Sequence, residues 1–277
     1  MVVTHRVVVF AVHPVTPQGT TTRSPGTAVV VIPARYESTR LPGKPLANIA
    51  GHPMIEHVYR RASRATRAAS VLVATDSERV RDAVLAFGGD AQLTERGHRN
   101  GTERVAEVAR DLTCDLVVNV QGDEPLVDPL AIDLALSPFA NDPTLCMSTL
   151  RTPMLSLDDL HDLNVVKVVV DRDDFALYFS RAPIPHTDAP AGNDHPGERA
   201  TGPSKHVGLY VYRRDFLLRF VELEPTPLEC AENLEQLRAL EHGYRIKVLT
   251  TSHDSIGVDT PSDLERIRRI MITGGSL

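Results

Sequence analysis

Short runs of continuously apolar residues alternate with helix-like patterns along the first half of the chain. Runs of this kind, rich in valine, predict strands at residues 28–32, 70–74 and 115–121. Helical periodicity predicts helices beside them, at residues 54–69, 77–87 and 102–112. Strands that are apolar throughout, rather than at every second residue, are typical of parallel strands covered on both faces. The repeated strand–helix units therefore predict an α/β fold with a mostly parallel, doubly wound sheet.

The second half of the chain has a different pattern. Strand-like runs at residues 165–170, 176–179 and 207–212 follow one another with little helix between them. Such a succession predicts antiparallel pairing, and we expect an inserted lobe at about residues 148–215. Residues 186–204 are polar and rich in glycine and proline, which predicts a long loop within this lobe.

Two helix signals lie near the C-terminus. Residues 231–242 carry leucines at helical spacing and are followed by Gly243, which predicts one helix ending there. Thr260 is placed as an N-cap, with Pro261 in the first turn and Asp263 three residues after the cap. This arrangement predicts the start of the last helix.

The N-terminal residues differ in composition from the rest. Residues 13–27 are rich in proline, threonine and glycine and have no apolar period. Such composition is typical of linkers and disordered segments. We therefore expect a disordered leader at residues 1–27 and one domain, with its inserted lobe, at residues 28–277.

Composition excludes several classes of protein. The formal net charge is -6, so there is no overall positive field to attract nucleic acid or an anionic membrane. The longest apolar run covers residues 7–12, far short of the ~20 residues that span a bilayer. Three widely spaced cysteines, Cys114, Cys146 and Cys230, form no CxxC pair. Without a disulfide framework, a cytoplasmic location is the simplest expectation.

A charged loop directly follows the first predicted strand. Residues 33–45 contain Arg35, Arg40 and Lys44 together with hydroxyl side chains and a glycine. Ligands of doubly wound sheets bind outside the carboxyl ends of the strands, and arginine and lysine there can hold a polyphosphate. The spacing is not that of a P-loop. The alternative is an ordinary solvated loop.

Acidic residues follow another central strand and precede the last helix. Asp123 and Glu124 come after Gly122 in the segment Asn-Val-Gln-Gly-Asp-Glu-Pro, and Asp259 stands next to the Thr260 cap. Carboxylates at a strand end suit Mg²⁺ bound together with nucleotide phosphates. The alternatives are a polar turn for Asp123 and a helix-start residue for Asp259.

Further polar residues are candidates for substrate binding. The segment at residues 98–104 enters a helix and is suited to recognise a base or a phosphate. Arg181 can pair with a carboxylate in a bidentate manner, and other side chains can bind sugar hydroxyls. These others are His206, Tyr210, Glu235 and Gln236. Each of them is individually compatible with a surface or capping role.

Together the segments resemble one known family. From about residue 29 to residue 269 the chain is similar to the 3-deoxy-manno-octulosonate cytidylyltransferases, or CMP-Kdo synthetases. The motifs IPARYESTRLPGKPL, VATD, GTER, NVQGDEP, NVVKVV, ALYFSRAPIP, LEQLRALE and GVDTPSDLE occur in the family's order. The resemblance implies a Rossmann-like nucleotidyltransferase fold and a homodimer formed largely through the inserted lobe. It also implies Mg²⁺-dependent transfer of CMP from CTP to 3-deoxy-D-manno-octulosonate (Kdo), which serves lipopolysaccharide biosynthesis or another Kdo-containing glycoconjugate.

The resemblance also implies roles for individual residues. The residues implied to bind the nucleotide are Arg35, Arg40, Lys44, Thr102, Gln121 and Asp123. The residues implied to act in catalysis are Lys44, Arg40, Asp123 and Asp259. Asp123 and Asp259 match the magnesium carboxylates. The sugar-acid pocket is implied at Arg181, His206, Tyr210, Glu235 and Gln236. Asn100 departs from the usual serine, and the leader has no counterpart in the family.

Three other functions remain as alternatives at this stage. An acylneuraminate cytidylyltransferase activates a related sugar acid, but its first loop resembles a Gly-Gly-Ser-Lys version rather than the Arg-Tyr-Glu-Ser-Thr-Arg present here. A cytidylyltransferase for a Kdo analogue has the same pocket residues. A non-catalytic nucleotide-binding regulator has no need of Lys44, Asp123 and Asp259 together. None of these alternatives involves nucleic acid or insertion into a membrane.

Overall fold

The computed structural model describes residues 26–38, 40–154, 156–186, 202–254 and 256–273. Of the predicted leader, only Gly26 and Thr27 are among these residues, and most of the predicted loop at residues 186–204 lies outside them. Within the described part of the chain, every helix is too short or too polar to cross a membrane.

Strands and helices alternate through the first half of the described chain. The strands are β1 (Ala28–Pro33), β2 (Asn48–Ile49), β3 (His52–Pro53), β4 (Ser70–Thr75), β5 (Ala91–Leu93), β6 (Leu116–Asn119), β7 (Met147–Pro153), β8 (Lys167–Val170), β9 (Ala176–Ser180), β10 (Ser204–Arg213) and β11 (Ile246–Thr250). The α-helices are α1 (Met54–Ala62), α2 (Glu78–Ala86), α3 (Gly101–Ala109), α4 (Pro129–Leu136), α5 (Leu157–His161), α6 (Arg214–Phe220), α7 (Pro227–Glu232), α8 (Gln236–Glu241) and α9 (Pro261–Ile272).

One sheet organises the fold, with the order β11-β7-β10-β6-β1-β4-β5. Strands β6, β1, β4 and β5 pair in parallel, as do β7 and β11. Strand β10 lies between β6 and β7 and is antiparallel to both. Along these seven strands the sheet is therefore mostly parallel, with one reversed strand, β10, near its centre.

Both faces of this sheet are covered by helices. The buried side chains of β1 alternate between the faces, with Val30 and Ile32 packing on one side and Val29 and Val31 on the other. Helices α1, α2 and α4 pack on the first face, and α3, α6 and α8 pack on the second. The predicted α/β class with a doubly wound, mostly parallel sheet is confirmed.

The second half of the chain contributes both to the central sheet and to a projection from it. Strands β7 and β10 are members of the sheet itself, whereas β8 pairs antiparallel with β9 and with the first residues of β10. The predicted antiparallel pairing is thus present. The separate lobe at residues 148–215 stays a prediction. Strands β7 and β10 lie largely within these residues but are paired into the central sheet, so the pairing does not mark where a lobe begins or ends.

The predicted helix at residues 54–69 is too long, because α1 ends at Ala62. The hydroxyl of Ser63 donates to the carbonyl oxygen of Tyr59 (2.8 Å), and the chain then turns. The backbone nitrogens of Thr66 and Arg67 donate to the carboxylate of Asp133 (3.0 and 2.8 Å) rather than to helical carbonyls. This long-range partner ends the helix where local periodicity does not.

The predicted helix at residues 231–242 is two helices, α7 and α8. Asn233 lies between them in the left-handed region, with φ 53°. That conformation interrupts a helix, and asparagine adopts it more readily than most residues. The break reorients the chain just before Glu235 and Gln236, two of the predicted sugar-pocket residues.

Candidate active site

The loops that follow β1 and β6 meet at the carboxyl edge of the parallel strands. A Cβ on Gly122 would lie 2.6 Å from the carbonyl oxygen of Pro33, so only glycine allows the two loops to come this close. Beside this contact is a cavity of about 320 Å³. Its lining includes the predicted residues Arg35, Arg40, Lys44, Gln121, Asp123 and Asp259.

Lys44 lies between the two predicted metal carboxylates. Its Nζ donates to Asp123 Oδ2 at 2.6 Å and to Asp259 Oδ1 at 3.1 Å. Burial disfavours the ammonium ion, but the two carboxylates outweigh burial and raise the pKa of Lys44 above its usual value. Lys44 is therefore a fixed positive charge in the cavity. Arg40, which is largely exposed, adds a second by pairing with Asp259 Oδ2 at 3.1 Å.

The position of Lys44 is set by the turn that precedes it. Gly43 has φ 69°, a left-handed conformation that glycine adopts without strain, and its nitrogen donates to the carbonyl oxygen of Tyr36 (3.2 Å). The guanidinium of Arg79, from α2, lies 4.7 Å from the centre of the Tyr36 ring. Lys44 itself begins a short 3-10 helix, Lys44–Leu46, in which the next residue, Pro45, is buried. These contacts direct the lysine toward Asp123.

Asp259 is positioned by the start of α9. Thr260 accepts a hydrogen bond from the nitrogen of Asp263, and the Asp263 carboxylate accepts from the nitrogen of Thr260, so the predicted N-cap is confirmed as a full capping box. Behind the cap, Val258 packs with Leu126 in a small apolar cluster under α9. This cluster fixes the segment before α9 against the loop after β6.

The two carboxylates fit a divalent cation. Since both contact the same nitrogen, their oxygens converge on one point that already attracts a positive charge. Mg²⁺ is commonly held by one or two carboxylates together with phosphate oxygens and water. Within the described residues there is no group of three or more His, Cys, Asp or Glu side chains placed to hold a metal. The donor set therefore suits a cation that shares its ligands with a bound phosphate.

The start of α3 forms another wall of the cavity. Asn100, at the position where the family usually has serine, accepts a hydrogen bond from the nitrogen of Glu103 (2.9 Å) and caps the helix. An asparagine thus makes the cap that a serine would make. Thr102 is buried behind this wall and does not line the cavity; its hydroxyl donates to Glu235 Oε1.

Four of the predicted sugar-pocket residues lie beyond Thr102, on β10 and α8 and at the residue before α8. The ring centres of His206 and Tyr210 are 5.4 Å apart, and those of Phe179 and His206 are 5.0 Å apart. Burial lowers the pKa of His206 to about 3, and it raises the pKa values of Tyr210 and Glu235. Gln236 is also buried. This second cluster is thus a largely enclosed group of polar side chains beside the cavity.

Arg181 is bonded to backbone rather than to the second cluster. Its guanidinium donates to the carbonyl oxygens of Glu232 (2.8 Å), Leu163 (3.0 Å) and Asn233 (3.3 Å). Through the last of these it contacts the left-handed residue that joins α7 to α8. The structure thus places Arg181 where it supports the segment carrying Glu235 and Gln236.

Sequence reasoning missed one buried ion pair in the wall of the cavity. Arg104 is almost fully buried and lines the cavity, and its Nη2 donates to Asp76 Oδ2 at 2.8 Å. Because an arginine stays charged even when it is buried, such a partner is needed to offset the cost of burial. The signal was present, since Asp76 ends the VATD motif and Arg104 ends the GTER motif. The sequence does not show that α3, which carries Arg104, packs beside the loop after β4, which carries Asp76.

Comparison with known proteins identifies the family of this chain. Residues 29–247 match the cytidylyltransferase family. A relative in Geotalea daltonii, named 3-deoxy-manno-octulosonate cytidylyltransferase, is 56% identical over 241 residues, which are 86% of this chain and 95% of that protein. The two proteins therefore align over almost the whole length of the relative.

Two solved structures are similar in fold. A CMP:2-keto-3-deoxy-manno-octonic acid synthetase complexed with CTP has a TM-score of 0.81 and 43% identity, covering 90% of this chain and 99% of its own. A 4-diphosphocytidyl-2C-methyl-D-erythritol synthase from Anaerococcus prevotii has a TM-score of 0.58 at 11% identity, covering 92% of this chain and 100% of its own, and shows the fold alone. By its sequence identity and its coverage, the chain belongs to the cytidylyltransferase family, among the 3-deoxy-manno-octulosonate cytidylyltransferases.

Proposed function

We propose that the protein transfers CMP from CTP to Kdo and releases pyrophosphate. The observation that carries this proposal is Lys44, held between Asp123 and Asp259 at the carboxyl edge of the parallel strands. A cation and two carboxylates in one cavity are what a nucleoside triphosphate with its divalent metal requires. The relatives named for this reaction, and the similar structure complexed with CTP, support the same assignment.

The nucleotide is proposed to bind in the cavity that Lys44 lines. Arg35, Arg40 and Lys44 supply positive charge for the triphosphate, and Gln121 supplies an amide for the base or ribose. Thr102 lies behind this surface, so its proposed contribution to nucleotide binding is indirect. The cavity volume of about 320 Å³ is at the lower end of the range for small-ligand sites, which suits part of a nucleotide rather than both substrates.

The reaction is an in-line displacement at the α-phosphorus. The anomeric hydroxyl oxygen of the sugar forms a bond to phosphorus, the bond to the bridging oxygen of pyrophosphate breaks, and the hydroxyl proton passes to solvent or base. Negative charge accumulates on the nonbridging oxygens as this happens. Lys44 and Arg40 supply positive charge to stabilise these oxygens, since Asp123 and Asp259 keep both cations in the cavity before substrate arrives.

Mg²⁺ is the proposed cofactor, with Asp123 and Asp259 as its protein ligands. A bound Mg²⁺ supplies Lewis-acid polarisation of the phosphoryl oxygens. Asp123 and Asp259 would hold it, and the Lys44 ammonium, which contacts both carboxylates in this structure, would then pair with the phosphates.

Kdo is proposed to bind at the second cluster. His206, Tyr210, Glu235 and Gln236 offer both donors and acceptors for sugar hydroxyls. Because the pKa of His206 is so low, the ring is neutral near pH 7. The carboxylate of Kdo needs a positive partner, and Arg181 is the proposed one. In this structure its guanidinium donates three of its five N–H groups to backbone carbonyls, which leaves one N–H on each of Nη1 and Nη2 for the carboxylate.

Pyrophosphate release tests this assignment. Purified protein is incubated with CTP and Mg²⁺ and with Kdo, its 8-amino analogue or N-acetylneuraminate. Release with Kdo and little with neuraminate is the expected result. Faster release with the analogue would assign the chain to a specialised pathway. Tight CTP binding without release from any acceptor would instead identify a nucleotide-binding regulator.

The setting of the enzyme is also a proposal. A homodimer, formed through the segment that contains β8 and β9, is expected from the family and can be tested by analytical ultracentrifugation. The three cysteines are all unpaired thiols, which supports a cytoplasmic location. Delivery of CMP-Kdo to lipopolysaccharide biosynthesis is the corresponding proposed role.

A further inference from the structure

Asn119 is a polar residue in an apolar layer of the core. It ends β6 and is fully buried. In the sheet it pairs with Val31 of β1 on one side and with Tyr210 of β10 on the other. Both partners belong to the apolar face that packs against α3. An amide buried there destabilises the fold unless its hydrogen bonds are made, so its presence requires an explanation.

The hydrogen bonds of Asn119 form part of a chain that runs in one direction. Gln121 Nε2 donates to Asn119 Oδ1 at 3.4 Å, and Asn119 Nδ2 donates to Thr102 Oγ1 at 3.3 Å. The Thr102 hydroxyl in turn donates to Glu235 Oε1. Each group accepts from the one before and donates to the one after. Hydrogen bonds arranged in this way polarise and strengthen one another, and this series ends on a carboxylate.

The two ends of this hydrogen-bond series, Gln121 and Glu235, lie in different parts of the site. Gln121 lines the cavity that holds Lys44, whereas Glu235 belongs to the second cluster with His206 and Tyr210. Three separate motifs, NVQGDEP, GTER and LEQLRALE, supply its members. Asn119 is the member that joins the cavity side to the helix side, because its amide is hydrogen-bonded to both Gln121 and Thr102.

We propose that Asn119 is a positioning residue that orients the Gln121 amide toward the nucleotide and couples it to Glu235. The proposal rests on the assignment of the cavity to CTP. With one amide hydrogen of Gln121 engaged by Asn119, the orientation of its side chain is set before the nucleotide binds. Preorganisation of this kind raises affinity because less conformational freedom is lost on binding.

The first test measures CTP affinity by titration calorimetry without any sugar acid. Asn119→Leu keeps the size of the side chain but removes both of its hydrogen bonds. We expect CTP to bind on the order of tenfold more weakly, as for the loss of one ordered hydrogen bond. The control is Ser148→Ala, which removes a buried hydrogen bond of β7 to the Ala135 carbonyl (2.7 Å) on the opposite face of the sheet, where α4 packs. It should lower the melting temperature and leave CTP affinity within twofold.

The second test asks whether Glu235 influences CTP through Asn119. Glu235→Gln keeps the acceptor oxygen but removes its charge, and it should weaken CTP binding about three- to fivefold, since a hydrogen bond to a neutral acceptor is weaker. In an Asn119→Leu background the same substitution should change CTP affinity less than twofold, because the connection is already cut. If the two residues were not connected, the effects of the two substitutions on CTP affinity would add to within about twofold, and Glu235→Gln would keep its full effect.

If Asn119→Leu does not fold, Thr102→Val interrupts the same hydrogen-bond series at Thr102. It should likewise remove the effect of Glu235→Gln on CTP affinity. An effect of Glu235→Gln that persists unchanged in either background would overturn the proposal, as would full CTP affinity in folded Asn119→Leu. These results are distinct from failure of the proposed function, in which the wild-type protein would not bind CTP at all.

Discussion

The backbone nitrogen of Val258 donates a hydrogen bond to the carbonyl oxygen of Asp123, at 2.9 Å. This contact joins the loop after β6 to the residue just before Asp259, although the two segments are far apart in sequence. It explains how two carboxylates reach the same lysine nitrogen without belonging to one motif. The metal site we propose therefore depends on the docking of α9 as much as on the carboxylates themselves.

The clearest prediction concerns Asp123→Asn and Asp259→Asn. Each substitution keeps the size of the side chain but removes one negative charge from the proposed cation site. Mg²⁺ has few protein ligands and gives up its water reluctantly, so losing one carboxylate should weaken its binding severely. We expect kcat to fall about 10²-fold or more, as for removal of one preorganised electrostatic group. Turnover is measured across a magnesium titration.

Thermal unfolding provides the control for both variants. Folding should change little, although Asp259 next to the Thr260 cap contributes about 0.3–1 kcal/mol through the helix dipole. If folded Asp259→Asn turns over like the wild type at low Mg²⁺, Asp259 is a helix-start residue and the two-carboxylate site is wrong.

A second prediction uses the close approach of the loops at Gly122. In Gly122→Ala the new Cβ would lie 2.6 Å from the carbonyl oxygen of Pro33, so the backbone of one loop must move. We expect a loss of about 1–3 kcal/mol in the free energy of unfolding, typical of overpacking. Turnover should fall as well, since both loops line the cavity. Gly97→Ala is the matched control, because nothing lies within 4 Å of its added Cβ. Equal melting temperatures for the two variants would contradict this account.

The central sheet was predictable because its strands carry their own signal. Parallel strands covered on both faces are apolar throughout, and three of them were placed from this property alone. The helix errors have the opposite origin. The turn after α1 depends on Asp133, and the break between α7 and α8 depends on one left-handed residue, Asn233. Neither changes the local periodicity from which a helix is predicted.

The candidate site was predicted residue by residue but not contact by contact. Lys44, Asp123 and Asp259 were each expected in one site, and the structure brings them together. The direct pairing of Lys44 with both carboxylates was not expected, because the three residues are far apart in the sequence and meet only in the folded protein. The sequence indicates no role for Asn119, because Thr102 and Gln121 become its hydrogen-bond partners only in the folded sheet.

A third prediction follows from the low pKa of His206. Burial lowers it to about 3 in the folded protein, against about 6.5 in an unfolded chain. Between these values the unfolded chain holds a proton that the folded protein does not, so acid favours unfolding. The contribution of this histidine to stability is complete above pH 6.5 and is lost progressively as the pH falls toward 3. The slope approaches about 1.4 kcal/mol per pH unit.

Denaturant unfolding at pH 7.5 and pH 5.5 measures this effect. The stability of wild-type protein should fall between the two values by more than that of His206→Gln, which cannot take up the proton. The glutamine can still donate to Thr149 Oγ1, which His206 Nε2 contacts at 2.9 Å. The same replacement at the exposed His242 controls for loss of a histidine from the unfolded chain. Equal pH dependence in wild type and His206→Gln would show that the ring is not held neutral by the fold.

The last prediction concerns Arg181→Lys. The variant keeps the positive charge but loses the planar fork, which can bind two oxygens of a carboxylate or several separate carbonyls at once. We expect the KM for Kdo to rise at least tenfold while the KM for CTP changes less than twofold. Direct contact with the sugar carboxylate leaves CTP binding unchanged, whereas a shift of the segment that leads from Asn233 into Glu235 reaches CTP only through the weaker coupling of Glu235 to Gln121. Steady-state kinetics with each substrate varied in turn measures the two values.

The melting temperature distinguishes the two roles of Arg181. A rise in the KM for Kdo with an unchanged melting temperature indicates direct contact with the sugar carboxylate, as proposed. The same rise with a melting temperature several degrees lower indicates that the bonds to Glu232, Leu163 and Asn233 are what matter. Equal losses for Kdo and CTP would contradict both roles and make Arg181 a support of the whole fold. Arg181→Met extends the comparison with Arg181→Lys, because it removes the positive charge as well and should abolish any direct contact with the sugar carboxylate.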